Sequence, residues 1–178
     1  MPLIKILAFD PGTANTGYAT LTGNTSTSEV HLAPYFGVQK TAKRDTNGNE
    51  ISIRERIDCL GVGMRTLITA LTPTHIAMED FVEQGKFVGK TYKEMAYLTE
   101  HMRLVGREMG LEVTIYANGY WKKQTMKSSG TTKEQVQHFV SHKLPEAKAL
   151  FIKQPNHVWD SAGIGYCKWL EILSEGGG

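Results

Sequence analysis

The stretch that decides the fold is residues 3–12, LIKILAFDPG, close to the N-terminus. Residues 3–9 are apolar except for Lys5, and the turn sequence Asp10-Pro11-Gly12 follows at once. A short apolar run that stops at a turn is typical of a strand buried on both faces. We therefore predict a central strand here, with the carboxylate of Asp10 at its end.

Two further strands are predicted directly after it. Residues 17–21 and 30–38 have strand-like composition, and the polar stretch 22–29 separates them. Together with the first strand they suit an antiparallel meander. The polar run 41–50 contains Asn47-Gly48 and is predicted to be a loop.

The rest of the chain alternates helices with short strands. Apolar residues spaced three or four apart predict amphipathic helices, and Thr131-x-x-Glu134 is a capping box that opens one of them. The predicted elements are helices over 53–71 and 95–109, helices beginning near 131 and 156, and strands over 75–78 and 111–116. Antiparallel strands followed by βα units indicate an α/β protein: a mixed five-stranded sheet flanked by helices.

Length and composition exclude several classes of protein. The 178 residues suit one domain, expected over residues 1–175 with a flexible tail at 176–178. A hydrophobic content of 40% excludes a disordered chain. Cys59 and Cys167 fit no disulfide framework or zinc motif. No apolar run is long enough for a membrane span and no signal peptide is present, so a cytoplasmic location is expected.

Two acidic residues follow predicted strands. Asp10 ends the first strand, and Glu79 follows the strand at 75–78. Each is either a site residue or a turn residue, since Asp-Pro-Gly is common turn chemistry. Asp80 points to the opposite face from Glu79, because side chains alternate along a strand. We expect Glu79 to be the one that faces Asp10.

A third group of candidates lies at the start of the last helix. His157 and Asp160 are three residues apart and share one helix face. Each also has a structural interpretation, because an Asp in a first helical turn is favoured by the helix dipole alone. As a set, however, three carboxylates and a histidine from distant segments suit Mg²⁺ ions that act on a phosphate.

The basic residues are concentrated in the middle of the chain. Residues 86–148 carry a net charge of +5 and the remainder carries −3, although the total is only +2. Such clustering suits a surface for the DNA backbone, whereas a solvated helix face explains Arg103 and Arg107 better. The candidate DNA-binding residues are Lys86, Lys90, Lys122, Lys123, Lys127 and Lys133. Phe81 is a candidate wedge between bases, with core packing as the alternative.

Four motifs resemble the RuvC-type Holliday junction resolvases, which have the RNase H-like fold. They are residues 7–12 with Thr16-Gly17-Tyr18-Ala19, Ala77-Met78-Glu79, the basic segment Lys123-Gln124-Thr125 with residues 130–138, and residues 158–162. The match spans most of the chain in order. The stretch 22–50 is longer than in the cellular enzymes, which suggests a phage or otherwise divergent member.

The resemblance implies a structure-selective endonuclease that cuts four-way DNA junctions by symmetric paired nicks. It implies that Asp10, Glu79 and Asp160 are catalytic metal ligands for two Mg²⁺ ions, which Mn²⁺ can replace. His157 lies where many members have Asp, so its role stays open between metal ligand and general acid/base. Lys123 and Lys133 match positions that contact DNA, and the family acts as a homodimer.

Two other functions remain open from the sequence. One is a broader RNase H-like nuclease that acts on flaps or forks. The other is a nucleotide-binding module of the actin and sugar-kinase type, because residues 10–15 superficially resemble its phosphate loop. That class needs two lobes and about twice this length by domain arithmetic.

Overall fold

The structure is a computed structural model, and it describes residues 3–80, 89–117 and 119–176. Within these residues the chain forms five strands and six helices. The strands are β1 (Ile4–Asp10), β2 (Asn15–Asn24), β3 (Glu29–Lys40), β4 (His75–Glu79) and β5 (Val113–Tyr116). The helices are α1 (Ile53–Leu71), α2 (Lys90–Glu108), α3 (Tyr120–Met126), α4 (Lys133–Lys143), α5 (Ala147–Leu150) and α6 (Asn156–Glu175).

All five strands form one mixed sheet in the order β3-β2-β1-β4-β5. The pairs β1–β2 and β2–β3 are antiparallel, whereas β1–β4 and β4–β5 are parallel. This confirms the predicted sheet, with the N-terminal strand at its centre. Because β1, β4 and β5 run in the same direction, their carboxyl ends lie at one edge of the sheet, which we call the catalytic edge.

The sheet separates two hydrophobic clusters. Ile6 and Ala8 of β1 pack with α3, α4 and α6 on one face, and their neighbours Leu7 and Phe9 pack with α1 and α2 on the other. All four side chains are almost completely buried. This alternation along a single strand explains why residues 3–9 are apolar without interruption except at Lys5.

Helix α6 lies directly on the centre of the sheet. Its buried positions include Gly165, which allows the helix to approach the strands closely, and Gly163, which faces the ring of Trp121 in α3. A Cβ at Gly165 would meet the side chains of Leu21 and Ala8. The close approach places the first turns of α6, which carry His157 and Asp160, at the catalytic edge.

Some elements differ from the sequence prediction. The capping box of α4 is formed by Thr132 and Gln135 rather than by Thr131 and Glu134. The short helices α3 and α5 were not predicted. With seven and four residues, α3 and α5 have about two turns and one turn. This is too short for a repeated apolar spacing to mark them in the sequence.

A few predicted features fall outside the described residues. Phe81 and Lys86 belong to this group, as do the side chain of Lys90 and residues 177–178 of the predicted tail. Gly176 caps α6, and its N–H donates to the carbonyl of Ile172. Within the described ranges, the helices are too short or too polar to cross a lipid bilayer.

Candidate active site

The candidate carboxylates come from three elements that meet at the catalytic edge. Asp10 is the last residue of β1 and Glu79 the last residue of β4. Ala8 and Ala77, two residues before each of them, both pack in the cluster beneath α6. Since alternate residues share a face, Asp10 and Glu79 point towards α6, where Asp160 lies in the second turn.

His157 holds the carboxylate of Asp10. Its Nδ1–H donates to Asp10 Oδ2 over 2.5 Å. The hydrogen bond to Asp10 raises the pKa of His157, and this outweighs the opposing effect of burial. The side chain of Asp10 is only 15% exposed, so the imidazole supplies a partner that water cannot readily replace. A proton on His157 therefore stabilises the site while no cation is bound.

Glu79 is a buried carboxylate with one backbone partner. The N–H of Gly119, in the turn after β5, donates to Glu79 Oε1 over 2.8 Å. Burial raises the pKa of Glu79 to about 7, and the negative charges of Asp10 and Asp160 act in the same direction. The hydrogen bond from Gly119 and the charge of Lys122 only partly offset this rise.

Asp160 is in a similar position on α6. Burial raises its pKa to about 6, and the charge of Asp10 adds to the effect. Lys122 of α3 lies nearby, with its Nζ 3.8 Å from Asp160 Oδ1. Burial is the main cause of both raised pKa values, and the negative charge of the neighbouring carboxylates, which Lys122 only partly offsets, adds to it.

The donor set fits a hard divalent cation. Mg²⁺ prefers carboxylate oxygens and keeps several waters, and the excess negative charge described above is what a cation would neutralise. Among the described residues, no three His, Cys, Asp or Glu side chains are already arranged around one point as metal ligands. Asp10 contacts His157, and Glu79 contacts the N–H of Gly119.

The predicted DNA-binding lysines occupy different positions around the site. Lys122 is half-buried next to Asp160, whereas Lys123, Lys127 and Lys133 are exposed. Lys133, the first residue of α4, is close enough for its charge to act on both His157 and Asp160. The structure thus brings two of the predicted lysines to the carboxylates and leaves the other two on the adjoining surface.

Three features of the site were not predicted from the sequence. The first is Gly17, which pairs with Asp10 in the sheet; a Cβ there would overlap the carbonyl of His157. The second is Gly119, whose sequence signal is the turn dipeptide Asn118-Gly119. The third is Thr16, fully buried, whose Oγ1 donates to the carbonyl of Gly12 over 2.9 Å and closes the turn after Asp10.

Solved structures with the same architecture extend over almost the whole chain. Thermus thermophilus RuvC in complex with a Holliday junction substrate is 17% identical, with a TM-score of 0.76 over 97% of this chain and 96% of that one. The yeast mitochondrial Holliday junction resolvase is 15% identical, with a TM-score of 0.67 over 96% and 80%. The fowlpox virus resolvase in complex with Holliday junction DNA is 13% identical, with a TM-score of 0.63 over 96% and 99%. At these identities the likeness establishes the fold, a mixed RNase H-like sheet flanked by helices.

The family is established by the sequence. Comparison with curated proteins gives no significant match. The model of the family described as crossover junction endodeoxyribonuclease RuvC, by contrast, matches residues 6–168, which include Asp10, Glu79, His157 and Asp160. The chain therefore belongs to the RuvC family of crossover junction endodeoxyribonucleases.

Proposed function

We propose that this protein resolves four-way DNA junctions by hydrolysing one phosphodiester bond in each of two opposing strands. The observation that carries the proposal is the convergence of Asp10, Glu79 and Asp160 from three separate elements at one sheet edge. Burial and mutual repulsion raise the pKa of Glu79 and that of Asp160. Such groups are suited to holding cations against a phosphate.

The proposed cofactor is Mg²⁺, with two ions per site and Mn²⁺ as a substitute. Asp10, Glu79 and Asp160 would hold the ions, with His157 as a further candidate ligand. When bound, two such ions activate water and stabilise the leaving 3′ oxygen, which gives a 5′-phosphate product.

The protein's own side chains have distinct proposed tasks. His157 donates its Nδ1–H to Asp10 in the metal-free protein, so Nε2 is the nitrogen that would serve as a ligand or base when the ring is neutral. Lys122 is near enough to Asp160 to reduce the repulsion among the carboxylates. Lys123, Lys127 and Lys133 would bind backbone phosphates of the strand that enters the site.

The proposed working unit is a homodimer of single-domain chains. One chain has one set of carboxylates, whereas a four-way junction requires cuts in two strands. The twofold symmetry of a junction matches that of a C2 dimer, which would present two equivalent sites. We place this activity in the cytoplasm, in agreement with Cys59 and Cys167, which are both free thiols.

A junction-cleavage assay tests the proposal. The wild-type protein is incubated with a synthetic four-way junction and Mg²⁺, and the nicks are mapped on both strand pairs. We expect nicks at symmetric positions in two opposing strands. Asp10→Asn should bind the junction but leave it uncut, because the substitution removes a ligand charge while preserving size.

Two outcomes would contradict the proposal. Full cleavage by Asp10→Asn in Mg²⁺ would remove Asp10 from the chemistry. Faster cleavage of flaps, forks or RNA–DNA hybrids than of four-way junctions would instead favour a broader nuclease. The same panel with EDTA in place of Mg²⁺ serves as the control for metal dependence.

A further inference from the structure

The loop between β3 and α1, residues 41–52, lies at the catalytic edge. Lys40 at the end of β3 pairs with Asn15, just after the turn that follows Asp10. Thr41 N–H donates to the carbonyl of Ala14 over 3.1 Å, and Thr41 Oγ1 donates to that of Thr13 over 2.7 Å. The β3–α1 loop thus begins in direct contact with the turn after the first candidate metal ligand.

Arg56 of α1 fixes the loop to this turn from the other side. Its guanidinium donates to the carbonyl of Thr13 over 2.7 Å and to Thr41 Oγ1 over 3.1 Å. One half-buried arginine therefore connects α1, the start of the β3–α1 loop and the turn after Asp10. The start of the loop is fixed relative to the catalytic edge.

The loop also has an internal structure. The carboxylate of Asp45 accepts hydrogen bonds from the N–H groups of Asn47 and Asn49, both over 2.8 Å, and from the side chain of Asn49 over 3.0 Å. Ile51 N–H donates to the carbonyl of Lys43 over 3.0 Å, and the backbones of Arg44 and Glu50 pair in an isolated antiparallel β-bridge. These contacts hold the loop in a hairpin-like shape.

The outer side of this region is basic. Lys40, Lys43, Arg44 and Arg54 are all exposed. In the part of the chain that the structure describes, no ion pair joins any of these four side chains to a carboxylate. Of the acidic groups nearby, Asp45 is engaged by the hydrogen bonds within the loop and Glu55 by the capping box of α1. Glu50 is exposed and lies beside Lys43 and Arg44, so it offsets one of the positive charges.

We propose that the β3–α1 loop and its flanking residues form a second DNA-backbone surface, separate from the lysines of α3 and α4. Four exposed cations, two on the shaped loop and two on the adjoining ends of β3 and α1, complement the phosphates of a duplex arm that leaves the site. The β3–α1 surface binds these phosphates without reading sequence. This inference rests on the proposed function, because it assumes that a junction occupies the catalytic edge.

Salt-dependent binding tests the inference. The parent is Asp10→Asn, which prevents cleavage, and the ligand is a synthetic four-way junction titrated at several NaCl concentrations. The test variant adds Lys40→Ala and Lys43→Ala, whose amines make no hydrogen bond or ion pair within the described residues. The control instead adds Arg107→Ala and Lys143→Ala, which removes two exposed cations at the far ends of α2 and α4.

The test variant should lose about two units from the slope of log affinity against log salt, one for each phosphate contact. Its affinity should fall roughly ten- to a hundredfold at moderate salt, while the control keeps the slope of the parent. A slope equal to the parent's, or an equal loss in the control, would overturn the inference. Failure of the parent itself to bind the junction would instead overturn the proposed function.

Discussion

The carboxylate of Glu79 is held at an energetic cost while no cation is bound. Burial raises its pKa from 4.5 to about 7, so the folded protein binds this proton more tightly than the unfolded chain does. The stability that this proton confers is complete below about pH 4.5 and is lost as the pH rises through 7. The conversion of about 1.4 kcal/mol per pKa unit sets its size at no more than about 3.5 kcal/mol.

Replacing Glu79 should therefore stabilise the metal-free protein while it abolishes cleavage. Glu79→Gln keeps an oxygen for the N–H of Gly119 but has no charge to bury. We expect its free energy of unfolding at pH 8, in EDTA, to exceed that of the wild type by up to about 3.5 kcal/mol. The difference should shrink to less than about 1 kcal/mol at pH 5, since Glu79 is then protonated in the folded state and partly protonated in the unfolded chain. Urea unfolding at the two pH values measures it.

A matched control is Glu112→Gln, which changes an exposed carboxylate in the turn before β5. Its unfolding curve should follow that of the wild type at both pH values. If Glu79→Gln were no more stable than the wild type at pH 8, the carboxylate of Glu79 would not be a buried charge in the metal-free protein.

The candidate site could be predicted in part from single residues. Asp10 and Glu79 each follow an apolar strand, and the register of a parallel sheet then brings them together. The contact between His157 and Asp10 could not be predicted, because it depends on how closely α6 approaches β2. Nor does the sequence distinguish Lys122 from Lys123, since only the orientation of α3 determines which amine faces Asp160.

At the scale of elements, the position of α6 depends on two glycines of β2. Gly17 lies beneath the first turn of the helix and Gly23 beneath its C-terminal half, where a Cβ would overlap the ring of Trp169. They are six residues apart and so share a face of the strand. A side chain at Gly17 would displace the backbone of α6 at His157, whereas one at Gly23 would displace the ring of Trp169.

The two glycines should differ in their effect on cleavage. Gly17→Ala displaces the backbone of His157, and we expect the cleavage rate at saturating junction to fall at least about a hundredfold, because small misplacements of catalytic groups have effects of that size. The Mg²⁺ concentration for half-maximal activity should also rise. Gly23→Ala should lower the melting temperature but keep cleavage within a few-fold of the wild type below that temperature.

These two measurements separate positioning from folding. Equal losses of activity in both variants, in proportion to their losses of stability, would mean that Gly17 acts only through the stability of the fold. Wild-type cleavage by Gly17→Ala would mean that α6 accommodates the methyl group without moving His157.

The major elements could be predicted because each has a strong local pattern. The buried strand at 4–10 and the helices α1 and α2 follow from apolar spacing alone. The capping box of α4 was placed one residue early, since Thr131 and Thr132 are adjacent and both precede a suitable acceptor. The β3–α1 loop was predicted as a loop, but its attachment through Arg56 is a long-range contact that local spacing does not contain.

At the scale of the whole molecule, one chain contains one set of carboxylates and a junction needs two cuts. The proposed dimer predicts the behaviour of mixed assemblies. A dimer of one wild-type chain and one Asp10→Asn chain, purified through two different tags, should nick only one strand of each junction. Native and denaturing gels distinguish nicked from resolved products.

The mass of the wild type in solution and the nicking pattern of the mixed dimer both test the proposed dimer. Light scattering should give twice the mass of one chain for the wild type in solution. Paired nicks by the purified mixed dimer would show that a single set of carboxylates makes both cuts, and the proposed division of labour between two sites would then be wrong.

The two hydrophobic clusters on opposite faces of the sheet also bear on mutational tolerance. The cluster beneath α6 contacts the elements that carry His157 and Asp160. The cluster beneath α1 and α2 instead meets the catalytic edge through the ends of β1 and β4 and through Arg56 of α1. A change of volume on the α1–α2 side leaves α6 in place. Under random mutagenesis with selection for junction cleavage, accepted core substitutions should therefore accumulate beneath α1 and α2 and remain rare beneath α6.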